Sequence, residues 1–363
     1  MTAIELAVPR RMARPPGRAL TTLRRGLFGS WLNGLVTLAT VALLAVIVPP
    51  LLRWLVIDAT WSGSAADCRA GDGACWAFIA AKIRFILLAF YPAELQWRPV
   101  LACVLMLGLL AATALPRFWR RELAIAWPAV IAACWLLMAG LPGLIAPVSS
   151  NQWGGLPVTL IIWAVCFASA LPLAVLLALA RRSNMAGLRL LSVAYIELMR
   201  GIPMVAILYF AMLILPMALP AGQSMDKILR AIIMIALFWA AYIAEVVRGG
   251  LQAVPEGQRE AAATLGLGYW RIMQLVVLPQ ALRVVIPGLV NQAIGFLLAT
   301  SLLAVIGIFD LLNAAKASAA DPSWLGFYDE AYLVVAAIYF AFGYGGSRYS
   351  LWLERRLHRE RRD

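Results

Sequence analysis

Eight stretches of this chain are apolar over lengths that suit a lipid bilayer and little else. A helix needs about 20 apolar residues to cross the hydrocarbon, where no water is present to satisfy a bare backbone. Segments of that kind lie at 33–57, 99–115, 123–141, 156–180, 203–219, 228–247, 281–308 and 330–352. Composition agrees, since 63% of residues are hydrophobic and 13% are Asp, Glu, Lys or Arg, where soluble domains carry roughly 25% charged residues. So few charges cannot clothe a water-facing surface. The expected fold class is an all-α integral membrane protein with about eight transmembrane helices.

A formal charge of +13 and a pI near 10.1 would suit nucleic acid, but no aromatic–basic module accompanies the charge. Its placement fits a membrane instead. Six arginines fall within residues 1–28 and six within 348–363, both beside apolar segments. Juxtamembrane cations stay cytoplasmic and set orientation, with anionic lipid headgroups as their neighbours. An even number of spans puts both termini on that side. The connections holding Arg117, Arg120 and Arg121, and Arg181, Arg182 and Arg189, then also fall inside, as does 248–280, whereas 142–155 has no Lys or Arg. The first apolar run begins near Leu32 and is too long for a signal-peptide core, so it reads as a retained span.

One external segment, 58–98, breaks the pattern with Arg69, Lys82, Arg84 and Arg98. Within it, "WAFIAAKIRFILLAFY" (76–91) is apolar enough to suggest a ninth span. Lys82 and Arg84 near its middle would each cost about 2.5–3.5 kcal/mol in hydrocarbon, and a ninth span would reverse the arginine pattern downstream. The reading is therefore an amphipathic helix on the outer surface. The same segment carries Cys68 and Cys75 around a Gly-rich turn. Two states are open to them, a disulfide in an oxidising compartment or free thiols. A pair of cysteines is too few for zinc. Cys103, Cys134 and Cys166 lie in spans as inert core thiols.

Chemistry within the chain is sparse. The single histidine, His358, sits in the basic tail, and no metal-binding His pair or nucleotide-cradling glycine loop is present. Hydrolysis by this chain alone has no visible machinery. Charges near span ends come in two similar pairs: Glu197 with Arg200, three apart on one helix face, and Glu245 with Arg248. Pro203 after Gly201 is expected to break the helix there. Asn291, Gln292, Thr300 and Ser301 are polar without charge on one span. They line a substrate path or form interhelical hydrogen bonds, worth about 0.6 kcal/mol each.

The exception to all this apolarity is "PEGQREAAATLGLGYW", residues 255–270. Pro255 suits a first helical position and Glu256 the positive end of a helix dipole. Gly266 fits a helix stop with Leu267 as its apolar follower. A second short helix, "YWRIMQLVV", should end or kink at Pro279. Two such helices would lie along the inner face and present Glu260 and the small Ala261–Ala263 run to the cytoplasm. That arrangement suits a hairpin resting on headgroups or a docking surface for another protein.

Glu260-Ala261-Ala262, then Gly266, Val276, Leu278 and Pro279 at fixed spacing, resembles the EAA loop of ABC-importer permeases, with Val276 where the family has Ile. The surrounding sequence, with "IELMRGIPM" and "SRYSLWLERRL", resembles the polar amino-acid branch over about 150–356. The N-terminal part is similar to the longer permease subunit of general L-amino-acid importers. The resemblance implies a five-helix ABC-importer permease core preceded by three extra helices. It divides the chain into a cytoplasmic basic tail 1–28, a three-span extension 29–150, the permease core 151–356 with its coupling loop 248–280, and a basic tail 357–363.

Function follows from the same resemblance: an ATP-driven importer subunit for L-amino acids in the bacterial cytoplasmic (inner) membrane. Glu260, Ala261, Ala262, Gly266, Leu278 and Pro279 would couple it to the ATPase. Its partners would be a second, different permease subunit, two cytoplasmic ATPase subunits that hold the ATP and Mg, and a periplasmic substrate-binding protein. This chain would carry no cofactor of its own. Where amino-acid permeases often read Lys-Asp-Thr-Ser-Leu, this chain has Leu298-Ala299-Thr300-Ser301-Leu302, so a site dependent on the charged pair would be altered or left to the partner. Another small polar solute on the same machinery is the alternative cargo. A secondary transporter would be favoured by midplane carboxylates and inverted repeats, whereas the acids of this chain mostly sit at interfaces.

Overall fold

The computed structural model describes residues 26–218, 220 and 225–359, and every regular element among them is helical. Compactness divides the chain into two units, 1–77 and 78–363. In the first, Ser30 caps helix α1 (Trp31–Leu52) by accepting from the Asn33 N–H. None of the residues of α1 is buried, as befits a helix apolar all round and meant for lipid. Pro49 and Pro50 lie in its last turns, and it continues as a π-helical turn, Arg53–Ile57. Beyond it, Ser64 and Asp67 form a capping box on α2 (Ala65–Ala70). Cys68 and Cys75 are joined in a disulfide, their Cα atoms 5.5 Å apart.

Helix α3 (Trp76–Leu88) has 13 residues, about 20 Å of helix against roughly 30 Å of hydrocarbon. It is not a ninth span. One face is amphipathic as expected, but it packs on protein. Phe78 and Ile86 are fully buried, and Phe78 stacks on Phe327 at 5.7 Å. Lys82 meets the Asp321 carboxylate at 2.8 Å, and Arg84 donates to Gln96 at 2.6 Å. Polar partners thus absorb both cations that hydrocarbon would penalise.

The remaining spans follow in order. Helices α4 (Trp97–Ala114) and α5 (Arg121–Ala139) form a hairpin leading to α6 (Gly155–Arg181). Helix α7 (Ala186–Gly201) meets α8 (Met204–Tyr209) at a 101° bend, and α8 runs on to Met217 through a π-helical turn, Phe210–Ile214. The break falls at Ile202–Pro203, where the sequence places it. Then come α9 (Lys227–Gln252), α10 (Glu256–Thr264), α11 (Tyr269–Ile272), α12 (Leu278–Ala299), α13 (Leu311–Ala319) and α14 (Tyr328–Arg359). Among the described residues, six helical segments are long and apolar enough to cross a membrane, and the bent α7–α8 pair makes a seventh. At 32 residues, roughly 48 Å, α14 is the eighth by length.

Helices α6 and α9 form the centre of the bundle and supply many of its buried side chains. Helices α9 and α12 lie antiparallel and close. A Cβ on Gly250 would collide with Val285 Cγ1 and come within 2.9 Å of the Ala281 carbonyl. Further along, Trp239 packs on Phe296 at 5.0 Å, and Lys227 reaches the Gly307 carbonyl. Trp127 meets Trp163 at 6.2 Å and Trp135 meets Trp153 at 5.1 Å, holding α5 against α6 and its approach.

The helix begun at Tyr269 does not end at Pro279 but runs on to Ile306. A π-helical turn, Met273–Val277, directly precedes Leu278–Pro279. Proline lacks an N–H and clashes with the carbonyl four residues back. A locally wider turn relieves both problems without stopping the helix.

Candidate functional site

Helix α10 is short and polar between long apolar neighbours. Pro255 is its N-cap, one residue before the expected first helical position. At the other end, Gly266 has φ +76°, its N–H donates to the Ala263 carbonyl, and the Leu267 N–H donates to Ala262. Those two bonds make a Schellman stop, which needs the left-handed conformation that glycine adopts freely. Glu260, Ala261 and Ala263 are exposed, whereas Ala262 is turned inward at 4% exposure among the buried apolar residues. The alanine run is therefore not one flat outward face: 100° per residue separates its members. Leu278 is half-buried and Pro279 exposed. Gln280 Nε2 lies 3.4 Å from Gln258 Oε1, tying α10 to the foot of α12.

Next to this loop lies a charge cluster. Glu245 accepts from Arg181 Nη1 at 2.6 Å and from Arg248 Nε at 3.0 Å, with Arg200 Nη1 at 3.9 Å. Arg181 also reaches Glu197 at 3.2 Å. The Glu245–Arg248 pair forms within one helix as the spacing predicts. Glu197 and Arg200 take other partners: Arg181 takes the first, while Arg200 lies over the Tyr242 ring and near Glu245. Three helix ends, those of α6, α7 and α9, are thereby knotted together. Arg181 stood out in the sequence only as an orientation cue, because its partners are 16 and 64 residues away.

The polar residues of the 291–301 span separate. Asn291 is exposed and Gln292 half-buried on α12. Thr300 is fully buried, donating to the Leu297 carbonyl at 2.6 Å with the Tyr339 hydroxyl at 3.3 Å. Ser301 donates to the Leu298 carbonyl. Thr300 belongs to a buried polar group missed in the sequence. Asp310, also fully buried, caps α13 by accepting from the Leu312 and Asn313 N–H groups and is bonded by Tyr339. Thr159 of α6 accepts from the Leu311 N–H at 3.0 Å. Burial pushes the Asp310 carboxyl up to about 7, against the pull of those N–H donors. Trp239 was likewise unmarked by any motif. It is 8% exposed, and its Nε1–H has no hydrogen-bond partner among the described residues. No group of His, Cys, Asp and Glu among the described residues could hold a metal ion.

Residues 170–359 match the family described as the binding-protein-dependent transport system inner membrane component. The chain belongs to that family. It is a permease, a multi-pass inner-membrane component of a transport system and not an enzyme. Membership implies an ATPase and a substrate-binding protein as partners. The permease is 44% identical over 367 residues to the inner membrane amino-acid ABC transporter permease protein YhdY of Escherichia coli (strain K12), covering 99% of this chain and 98% of that protein. It is 35% identical over 429 residues to the glutamate/glutamine/aspartate/asparagine transport system permease protein BztC of Rhodobacter capsulatus, with 99% and 98% covered. Among solved structures it is similar to an amino acid ABC transporter crystallised with histidines. That likeness has a TM-score of 0.50 and 30% identity, over 56% of this chain and 92% of that one.

Proposed function

We propose that this permease imports L-amino acids, driven by ATP and Mg bound on a partner ATPase that grips the loop 248–280. One observation carries the coupling role: α10 ends in a glycine-dependent stop and exposes Glu260 and Ala261 beside small neighbours. Small side chains let a second protein's surface approach closely, and an exposed carboxylate offers it a polar contact. The names of YhdY and BztC, both similar over nearly the whole chain, support amino acids as cargo. The functional core is 151–356, with 29–150 as an extension and both basic tails inside. Sidedness follows from the arginines near the spans. A second, different permease subunit completes the translocation path. Asn291 and Gln292, on the less buried side of α12, would face cargo, while buried Thr300 would act through its bond to Tyr339.

Co-purification of the tagged permease from membranes that express its neighbouring genes tests this reading, beside a Gly266→Pro variant. Proline holds φ near −65°, which is incompatible with the +76° of Gly266. An ATPase and a second permease should accompany the wild type, and the ATPase should be lost from the variant. A wild-type chain that emerges alone and stable would overturn the proposal.

A further inference from the structure

We propose that Lys227 and Arg230 form an anion site that receives a carboxylate of the cargo at the mouth of the path; this rests on the amino-acid import reading above. The two cations are three residues apart on the first turn of α9 and so share a face. That turn is the positive end of a helix dipole, where acidic residues are favoured and cations are not. Two cations kept in an electrostatically poor position, at one end of a membrane span, call for an anionic counterpart.

The chain does not provide one among the described residues. Neither Lys227 nor Arg230 forms an ion pair there. The adjacent Asp226 is engaged by the Ile228 and Leu229 N–H groups and by the Ser150 hydroxyl. Each cation has only a backbone carbonyl as a hydrogen-bond acceptor: Lys227 Nζ at 2.6 Å from Gly307, and Arg230 Nη1 at 3.2 Å from Met212. Arg230 Nε is buried with no hydrogen-bond partner among the described residues. A guanidinium with one donor engaged and Nε free still has a fork to offer a carboxylate.

Direction favours cargo over lipid. Long basic side chains at a span end normally snorkel outward to headgroups. Both of these turn instead to carbonyls of neighbouring segments, Met212 after α8 and Gly307 after α12. Residues 284–309 carry no charge, so nothing on that neighbouring stretch offsets the pair.

The test uses the complete importer, purified and reconstituted, with uptake and direct equilibrium binding of radiolabelled glutamate and glutamine measured on the permease–ATPase complex without its binding protein. Wild type should bind, Arg230→Gln and Lys227→Gln should each weaken binding about tenfold, and Arg230→Lys should restore most of it. A loss confined to glutamate assigns the side-chain carboxylate; an equal loss for both assigns the α-carboxylate. Unchanged binding in assembled variants overturns the inference, as does undetectable binding by a wild type that still transports. So do a variant that fails to assemble and is not rescued by lysine, and unchanged amino-acid binding with loss of co-purifying phosphatidylglycerol. A wild type that takes up no amino acid overturns the import reading instead.

Discussion

Replacing Glu245 with Gln should loosen the junction of α6, α7 and α9 while keeping side-chain size. The carboxylate is 18% exposed and takes Arg181 at 2.6 Å and Arg248 at 3.0 Å, with Arg200 at 3.9 Å. Hydrogen bonds to charged groups contribute about 1.5–3 kcal/mol each. Removing one partner of a fully buried ion pair costs about 3–5 kcal/mol. The present cluster falls short of that limit: Glu197, 56% exposed, still holds Arg181, and Arg248 keeps Gln252 at 2.9 Å. Those compensations bring the expected loss to roughly 2–3 kcal/mol, or about 4–10 °C in melting temperature. Thermal unfolding of the purified complex reads it. The double variant with Arg181→Gln should show coupling of about 1 kcal/mol or more between the two sites. A single-variant shift under about 0.5 kcal/mol, with strictly additive effects, would refute the view that Glu245 is the hub.

Three further expectations concern the opposite end of the bundle. Burial raises the Asp310 carboxyl to about 7 from its ordinary 3.8, so the folded state holds a proton that the unfolded state releases. Stability contributed by that proton is complete below about pH 4 and declines as pH rises to about 7. Asp310→Asn, which keeps a good helix cap, should flatten stability over that window and raise it near pH 8, by up to roughly 4 kcal/mol; a pH series of melting temperatures checks the sign. Phe78→Ala, at a fully buried ring stacked on Phe327, should cost about 3–5 kcal/mol and free α3 for limited proteolysis. Lys82→Ala, which breaks a partly exposed pair with Asp321, should cost under about 1 kcal/mol.

Span positions were legible because hydrocarbon thickness is a single external ruler: 156–180 differs from Gly155–Arg181 by one residue at each end, and 228–247 lies within Lys227–Gln252. Local backbone chemistry was legible too: the break at Pro203 and the stop at Gly266 depend on residues that restrict or permit particular φ values. Partner choice was not. Arg200 had a suitable acid three residues away but lies near Glu245 on another helix, and tertiary proximity leaves no mark in local spacing. Ala262 turns inward although both its alanine neighbours are exposed, because packing of the loop on the bundle sets its rotation. Trp239 and Asp310 looked like ordinary members of apolar or turn sequence, and only burial shows the strain on their polar atoms.

Each of the three π-helical turns among the described residues, Arg53–Ile57, Phe210–Ile214 and Met273–Val277, lies within a few residues of a proline. A turn of this kind holds one residue more than the ordinary helix around it. Deleting one residue from 273–277 would therefore leave an ordinary turn of nearly the same net rotation, and the residues beyond would keep their faces. Asn291 would hold its present side and Gly288 would stay opposite Val246. The same deletion in the regular helix that follows would rotate everything beyond it by about 100° and re-aim an entire wall of the bundle.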